Sequence, residues 1–88
     1  MNLLSYTGKI IIAMYQNPNV PISRIAIYVN NTLNPRVYIL QKALIKAKLI
    51  KVRKSGKTKI TTFSKDFIQY YEALYKIKKL EDKLKNEL

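Results

Sequence analysis

The chain has 88 residues, with 17 Lys or Arg against 5 Asp or Glu, a net charge of +12, and neither Cys nor His. That length suits one small domain with a modest core. The missing residue types exclude disulfides, thiol nucleophiles, Cys/His zinc sites and the commonest general base.

The opening Met1-Asn2-Leu3-Leu4 has no basic stretch before an apolar one, so no signal peptide is expected. The longest apolar run, residues 10–15, is far too short to span a bilayer. Residues 5–16 read as a first helix with an apolar stripe of Ile10, Ile11, Met14 and Tyr15. Pro18 cannot continue it, and Asn17-Pro18-Asn19 is turn chemistry. Ile22 is expected either in a short strand or at the entry to a second helix. Ser23 is the expected N-cap of that helix, which spans 24–29 with Ile25, Ala26 and Val29 inward. Asn30-Asn31 ends it, because Asn tolerates the left-handed conformation.

A third helix starts with Asn34 as N-cap and Pro35 at the first helical position, and runs to about residue 47. A strand over 49–53, turn residues Ser55-Gly56 and a returning strand over 57–63 make a β-hairpin. Lys51, Arg53, Lys54, Lys57 and Lys59 crowd it. Ser64 caps a last helix over 65–87. Its apolar positions Phe67, Tyr70, Tyr71, Leu74, Ile77, Leu80, Leu84 and Leu88 follow a heptad-like spacing, interrupted by Glu81.

Charge is split along the chain. Residues 1–65 hold twelve Lys or Arg and no acid, whereas 66–88 hold five Lys and all the acids, Asp66, Glu72, Glu81, Asp82 and Glu87. Soluble surfaces ordinarily mix signs, so the acid-free part points to a polyanionic partner; selection for solubility is the bland alternative.

Two short helices, a polar turn, a longer helix with a polar cap and a basic hairpin resemble the winged helix-turn-helix family of DNA-binding proteins. The residues carrying the resemblance are Ile25-Ala26, Val37, Leu44, Leu49-Ile50 and the hairpin around Ser55-Gly56. In that family a valine early in the recognition helix, a leucine seven residues later and a Leu-Ile pair after the helix hold the core. Lys48 stands where the family often has Gly, and the turn before the third helix is one or two residues longer than the commonest form. The resemblance covers about residues 5–65. With its long last helix the chain is similar to MarR- and PadR-like regulators and to small archaeal DNA-binding proteins that dimerise through a C-terminal coiled coil. Its Ile-, Lys-, Tyr- and Asn-rich composition resembles archaeal, plasmid or viral chains. The resemblance implies an α+β, mostly α fold: a winged-helix domain over 1–64 and a dimerisation helix over 65–88.

The third helix would then be the recognition helix. Val37, Leu40 and Leu44 share one face, while Arg36, Ile39, Lys42 and Lys46 fall largely opposite. Asn34 and Arg36 lie in the first turn, which approaches base edges, and Tyr38 is a candidate for a thymine methyl or a phosphate. Lys42 and Lys46 suit phosphates, as do Arg24 and Thr32 near the second helix; Thr7 and Lys9 are lesser candidates. Arg53, Lys54, Lys57 and Lys59 would follow the flanking backbone or enter the minor groove. For each residue the bland alternative is a solvated side chain, for Asn34 only a cap, and for Tyr38 packing. The expected dimer seam is Phe67, Tyr70, Tyr71, Leu74, Ile77, Leu80 and Leu84.

These readings converge on a homodimeric regulator that binds double-stranded DNA in the cytoplasm, as a nucleoid protein or within a host. The alternatives are an architectural protein of the same fold with little sequence preference, and a protein–protein or viral structural module. The excess of Lys over Arg keeps the architectural reading close. No paired acids, metal cluster, phosphate loop or nucleophile–base pair points to an enzyme. No cofactor, small-molecule ligand or membrane partner is expected.

Overall fold

Six elements follow one another: α1 (Tyr6–Gln16), α2 (Ile22–Asn30), α3 (Arg36–Lys46), β1 (Ile50–Ser55), β2 (Thr58–Phe63) and α4 (Lys65–Glu87). They come from a computed structural model that describes residues 3–31 and 34–87. The α-α-α-β-β-α order is the one the sequence predicts.

Helix α1 begins where the Ser5 hydroxyl accepts the Gly8 N–H at 3.1 Å. Its apolar stripe is broad because it packs against both α2 and α4. Ile12 is accordingly buried along with the expected Ile10, Ile11 and Met14. The helix ends at Asn17, whose side-chain amide donates to the Ala13 carbonyl at 2.8 Å.

Helix α2 corrects the predicted start. Ile22 is its first helical residue and Pro21 occupies the cap position, so Ser23 is not the N-cap and Ile22 is in no strand. The Pro21 carbonyl accepts the N–H groups of Arg24 and Ile25. Burial of Ile22 in the core draws it into the first turn. At the other end Asn31 is left-handed (φ 59°) and its N–H reaches the Ile27 carbonyl at 2.7 Å.

Helix α3 shows the expected Asn-Pro entry. Pro35 already has helical angles (φ −58°, ψ −21°), and the Asn34 side-chain oxygen accepts the Arg36 N–H at 3.0 Å. Its last turn closes as a Schellman motif. The Leu49 N–H bonds the Leu44 carbonyl at 2.9 Å and the Lys48 N–H bonds the Ile45 carbonyl at 3.0 Å. Lys48 carries the left-handed angle (φ 61°) that such a stop requires. A Cβ in that conformation costs about 1–2 kcal/mol, partly offset because glycine loses more freedom on folding. Lys48→Gly is therefore expected to stabilise the fold by about 0.5–1 kcal/mol, read as a higher urea midpoint at unchanged slope.

The hairpin pairs Ile50 with Phe63 at its base and Ser55 with Thr58 at its tip, leaving Gly56-Lys57 as the loop. The turn thus sits one residue beyond the predicted Ser55-Gly56. Gly56 takes the first loop position at φ 62°, as a type II′ connection demands. The Thr61 N–H donates to the Pro18 carbonyl and the Ser64 N–H to the Leu49 carbonyl, both at 2.9 Å. These two bonds tie the hairpin to the α1–α2 turn and to the end of α3.

Helix α4 is capped by the Ser64 hydroxyl, which accepts the Phe67 N–H at 3.2 Å. Its first turns enter the shared core, whose largest fully buried side chains are Phe67, Ile10, Ile11, Ile50 and Val37. A run of rings carries the contact onward. Phe67 stacks on Phe63 (4.8 Å between centroids), Phe63 meets Tyr15 (5.1 Å), Tyr15 stacks on Tyr71 (4.2 Å) and Tyr71 on Tyr75 (5.7 Å). The predicted dimer seam is corrected here. Phe67 and Leu74 are buried in the chain's own core, and Tyr71 is stacked within it. Tyr70, Ile77 and Leu80 stay exposed, Leu84 is half-buried, and Leu88 lies outside the described residues. The rule that one helix carries one stripe fails because α4 carries two. Positions 67, 71 and 74 face α1, and positions 70, 77, 80 and 84 point about a quarter turn away.

Glu81 explains the interrupted heptad. It lies on the inner face, buried, and accepts the N–H groups of Leu3 (2.7 Å) and Leu4 (3.2 Å) while pairing with the Lys85 ammonium at 3.2 Å. The Leu3 amide, followed by Lys85 and the Leu4 amide, holds its carboxyl below the ordinary 4.5, against the opposing pull of burial. A depressed folded-state value means stability that is present above pH 4.5 and lost as pH falls through the lowered value. Thermal unfolding followed downward from pH 6 should show a falling midpoint in the parent. In Glu81→Gln that acid-side fall should be smaller.

Candidate nucleic-acid interface

Val37 and Leu44 bury one side of α3 and Leu40 is half-buried beside them, which fixes what the helix presents outward. With 3.6 residues per turn, Ile39, Lys42 and Lys46 lie opposite the buried side, with Arg36 on one shoulder and Tyr38 and Ile45 on the other. Arg36, Lys42 and Lys46 are exposed, as is Tyr38 at 43%. Asn34 is half-buried and its side-chain oxygen is engaged as the helix cap.

The hairpin stands beside this face. Tyr38 and Gln41 share a groove of about 260 Å³ with Lys59 and Thr61 of β2 and with Ser23 of α2. On the same shoulder Ile45 lines a second groove with Lys51, Val52, Arg53 and Thr62. Arg53 and Lys54 on β1, Lys57 in the loop and Lys59 on β2 are all exposed. Arg24 is exposed in the first turn of α2. Thr32 lies outside the described residues.

Structure therefore leaves most of the predicted cations exposed on α3 and on the hairpin that lies beside it. Ile39, Ile45 and Gln41 are not among the interface candidates that the sequence alone suggests. The signal for Ile39 was present, since it falls on the outward side of a helix whose inward side was already filled by Val37, Leu40 and Leu44. Gln41 and Ile45 needed the hairpin's position, which no helical period contains.

Electrostatically the face is uncompensated. The one ion pair among the described residues is Glu81–Lys85, far down α4, and residues 1–65 contain no carboxylate to form another. Among the described residues no group of His, Cys, Asp or Glu is placed to hold a metal, and no helix is long and apolar enough to cross a membrane.

Helix-turn-helix, two-stranded wing and flanking helix together define a winged helix-turn-helix fold. In structure the chain is similar to MepR, a transcription regulator of the Staphylococcus aureus multidrug efflux pump MepA. The match has a TM-score of 0.62 and 18% identity, and covers 99% of this chain and 67% of that one. At that identity the likeness establishes the fold. No protein-family model and no curated protein matches the chain in sequence.

Proposed function

We propose that the chain is a homodimeric, sequence-specific double-stranded DNA-binding protein that serves as a transcriptional regulator in the cytoplasm. The observation that carries this reading is the carboxylate-free face of α3 and hairpin, where Arg36, Lys42, Lys46, Arg53, Lys54, Lys57 and Lys59 are exposed together. MepR, of like fold, is a transcription regulator, which supports the same reading. Helix α3 enters the major groove with its first turn, Asn34 and Arg36, near base edges and Tyr38 on its shoulder. Lys42, Lys46, Arg24 and Thr32 hold phosphates, and the wing cations follow the flanking backbone or minor groove.

Residues 1–64 form the DNA-binding unit and 65–88 the pairing helix. The exposed Tyr70 and Ile77 and the half-buried Leu84 recur every seven residues, with the exposed Leu80 between, which suits a second copy of α4. A two-fold pair would set two recognition helices about 34 Å apart, one turn of DNA. Ile77→Glu combined with Leu80→Glu is expected to shift the sedimenting species from twice 10.3 kDa to 10.3 kDa with helix content retained, because both side chains are exposed in the single chain. A parent that already sediments at 10.3 kDa at high concentration would remove the dimer from this reading.

The test of function is selection from a randomised duplex pool across a salt series. A steep salt slope with an enriched palindrome is the expected result. A steep slope without a motif would favour the architectural reading, which the fourteen Lys against three Arg support through backbone contact. No binding at low salt would overturn both.

A further inference from the structure

We infer that α3 reads its site mainly through thymine C5-methyl groups, with Ile39 as the side chain that touches them. This rests on the DNA-binding reading above and adds to it a class of base pair and a specificity residue. Ile39 is 70% exposed, more than any other large apolar side chain among the described residues. It sits on the outward side of α3, with Ala43 one turn on, about 6 Å along the helix axis. A lone exposed isoleucine is ordinary. One on a cationic helix face, flanked by the exposed Arg36, Lys42 and Lys46, sits where the helix would meet a groove floor.

The hydrogen-bonding inventory of the face points the same way. Helix α3 carries no Asn, Ser, Thr, Asp or Glu. Its one Gln, Gln41, is half-buried and lines the groove toward the wing. Asn34 has its oxygen on the Arg36 N–H, and that oxygen is half of any bidentate pairing with adenine. Lys42 and Lys46 act as point charges and suit phosphates. Arg36 is then the one strong base-edge donor on the helix, and it stands at the first turn, on the shoulder. The feature of the major groove that an apolar surface recognises is the thymine methyl. A second copy of this face is excluded as the occupant by like charge, since residues 1–65 bring no carboxylate to meet these cations.

The test uses the full chain and the selected duplex, synthesised with thymine and again with deoxyuridine, which keeps every base-pairing atom and lacks only the methyl. The parent is expected to bind the deoxyuridine duplex more weakly, by about fourfold for each methyl that Ile39 or Ala43 covers. Ile39→Ala, an exposed substitution to the best helix former, should keep the fold and lose most of the difference between the two duplexes. Changing cytosine to 5-methylcytosine at the position of a sensitive thymine, in its C·G variant, should restore affinity to the parent but not to Ile39→Ala. Equal binding of both duplexes by the parent would overturn the inference while leaving DNA binding intact. A difference undiminished in Ile39→Ala would overturn the assignment to Ile39. Failure to bind either duplex would overturn the DNA-binding reading together with this one.

Discussion

A variant with Arg53, Lys54, Lys57 and Lys59 all changed to alanine is expected to bind mixed-sequence duplex about 10³-fold more weakly than the parent at 0.1 M salt. Each cation that neutralises a phosphate releases condensed counterions and adds about 0.9 to the slope of log K against log salt. Four such contacts should therefore remove about 3–4 from that slope, and the two affinities should converge as salt rises toward 1 M. The fold should survive, because all four side chains are exposed and the ladder between β1 and β2 is backbone. One feature of the hairpin argues that these cations are kept for a partner. Lys54 and Lys59 face each other directly across the strands. Like charges so placed destabilise a hairpin by a few tenths of a kcal/mol or more, on the order of an ordinary cross-strand pair term. A polyanion beside them turns that repulsion into attraction. Lys76→Ala with Lys83→Ala, on the exposed side of α4, is the control and should leave the slope unchanged. An unchanged slope in the wing variant would mean that the hairpin does not touch the backbone.

The contrast between wing and control follows a division already visible in the sequence. The acid-free stretch 1–65 marks the cationic half of the chain from the sequence alone, because charge is a property of composition. Helix periods and caps were equally plain. Asn34-Pro35 opens α3 and Ser64 opens α4 through short-range chemistry, where side chain and backbone partner lie within three residues. Even the stop after α3 could be anticipated at Lys48, since the motif requires a left-handed residue there whatever its side chain. What was hidden depends on contacts far apart in the chain. Glu81 reads as a defect in a heptad until the Leu3 and Leu4 amides, more than seventy residues away, are placed against it. Phe67 and Leu74 read as seam residues until α1 is laid along them. The entry to α2 moved for a similar reason, since burial of Ile22 outweighed the local preference for a serine cap.

Phe67→Ala is expected to cost about 3–5 kcal/mol of stability, the usual range for removing a fully buried aromatic ring. A domain of this size has about 4–13 kcal/mol in total, so the variant should be partly unfolded at 37 °C and melt about 15–30 °C lower. Phe67 is 1% exposed and its ring stacks on Phe63, the residue that ends β2. Removing it opens a cavity between α1, α4 and the root of the wing, and Tyr15, which also leans on Phe63, loses its support from that side. Phe67→Leu keeps part of the apolar volume without the stacking and should fall between parent and alanine. Leu80→Ala, by contrast, lies on the exposed stripe at 52% and should change the single chain by less than about 0.5 kcal/mol. Urea unfolding of dilute protein separates the two faces of α4: a large drop at Phe67 with a small one at Leu80 is required if the inner face is core and the outer face awaits a second copy. Equal costs at the two positions would mean that the outer stripe is already packed within one chain. DNA affinity of Phe67→Ala should decline with its folded fraction while the salt slope of the remaining folded protein stays that of the parent, because the wing cations themselves are untouched.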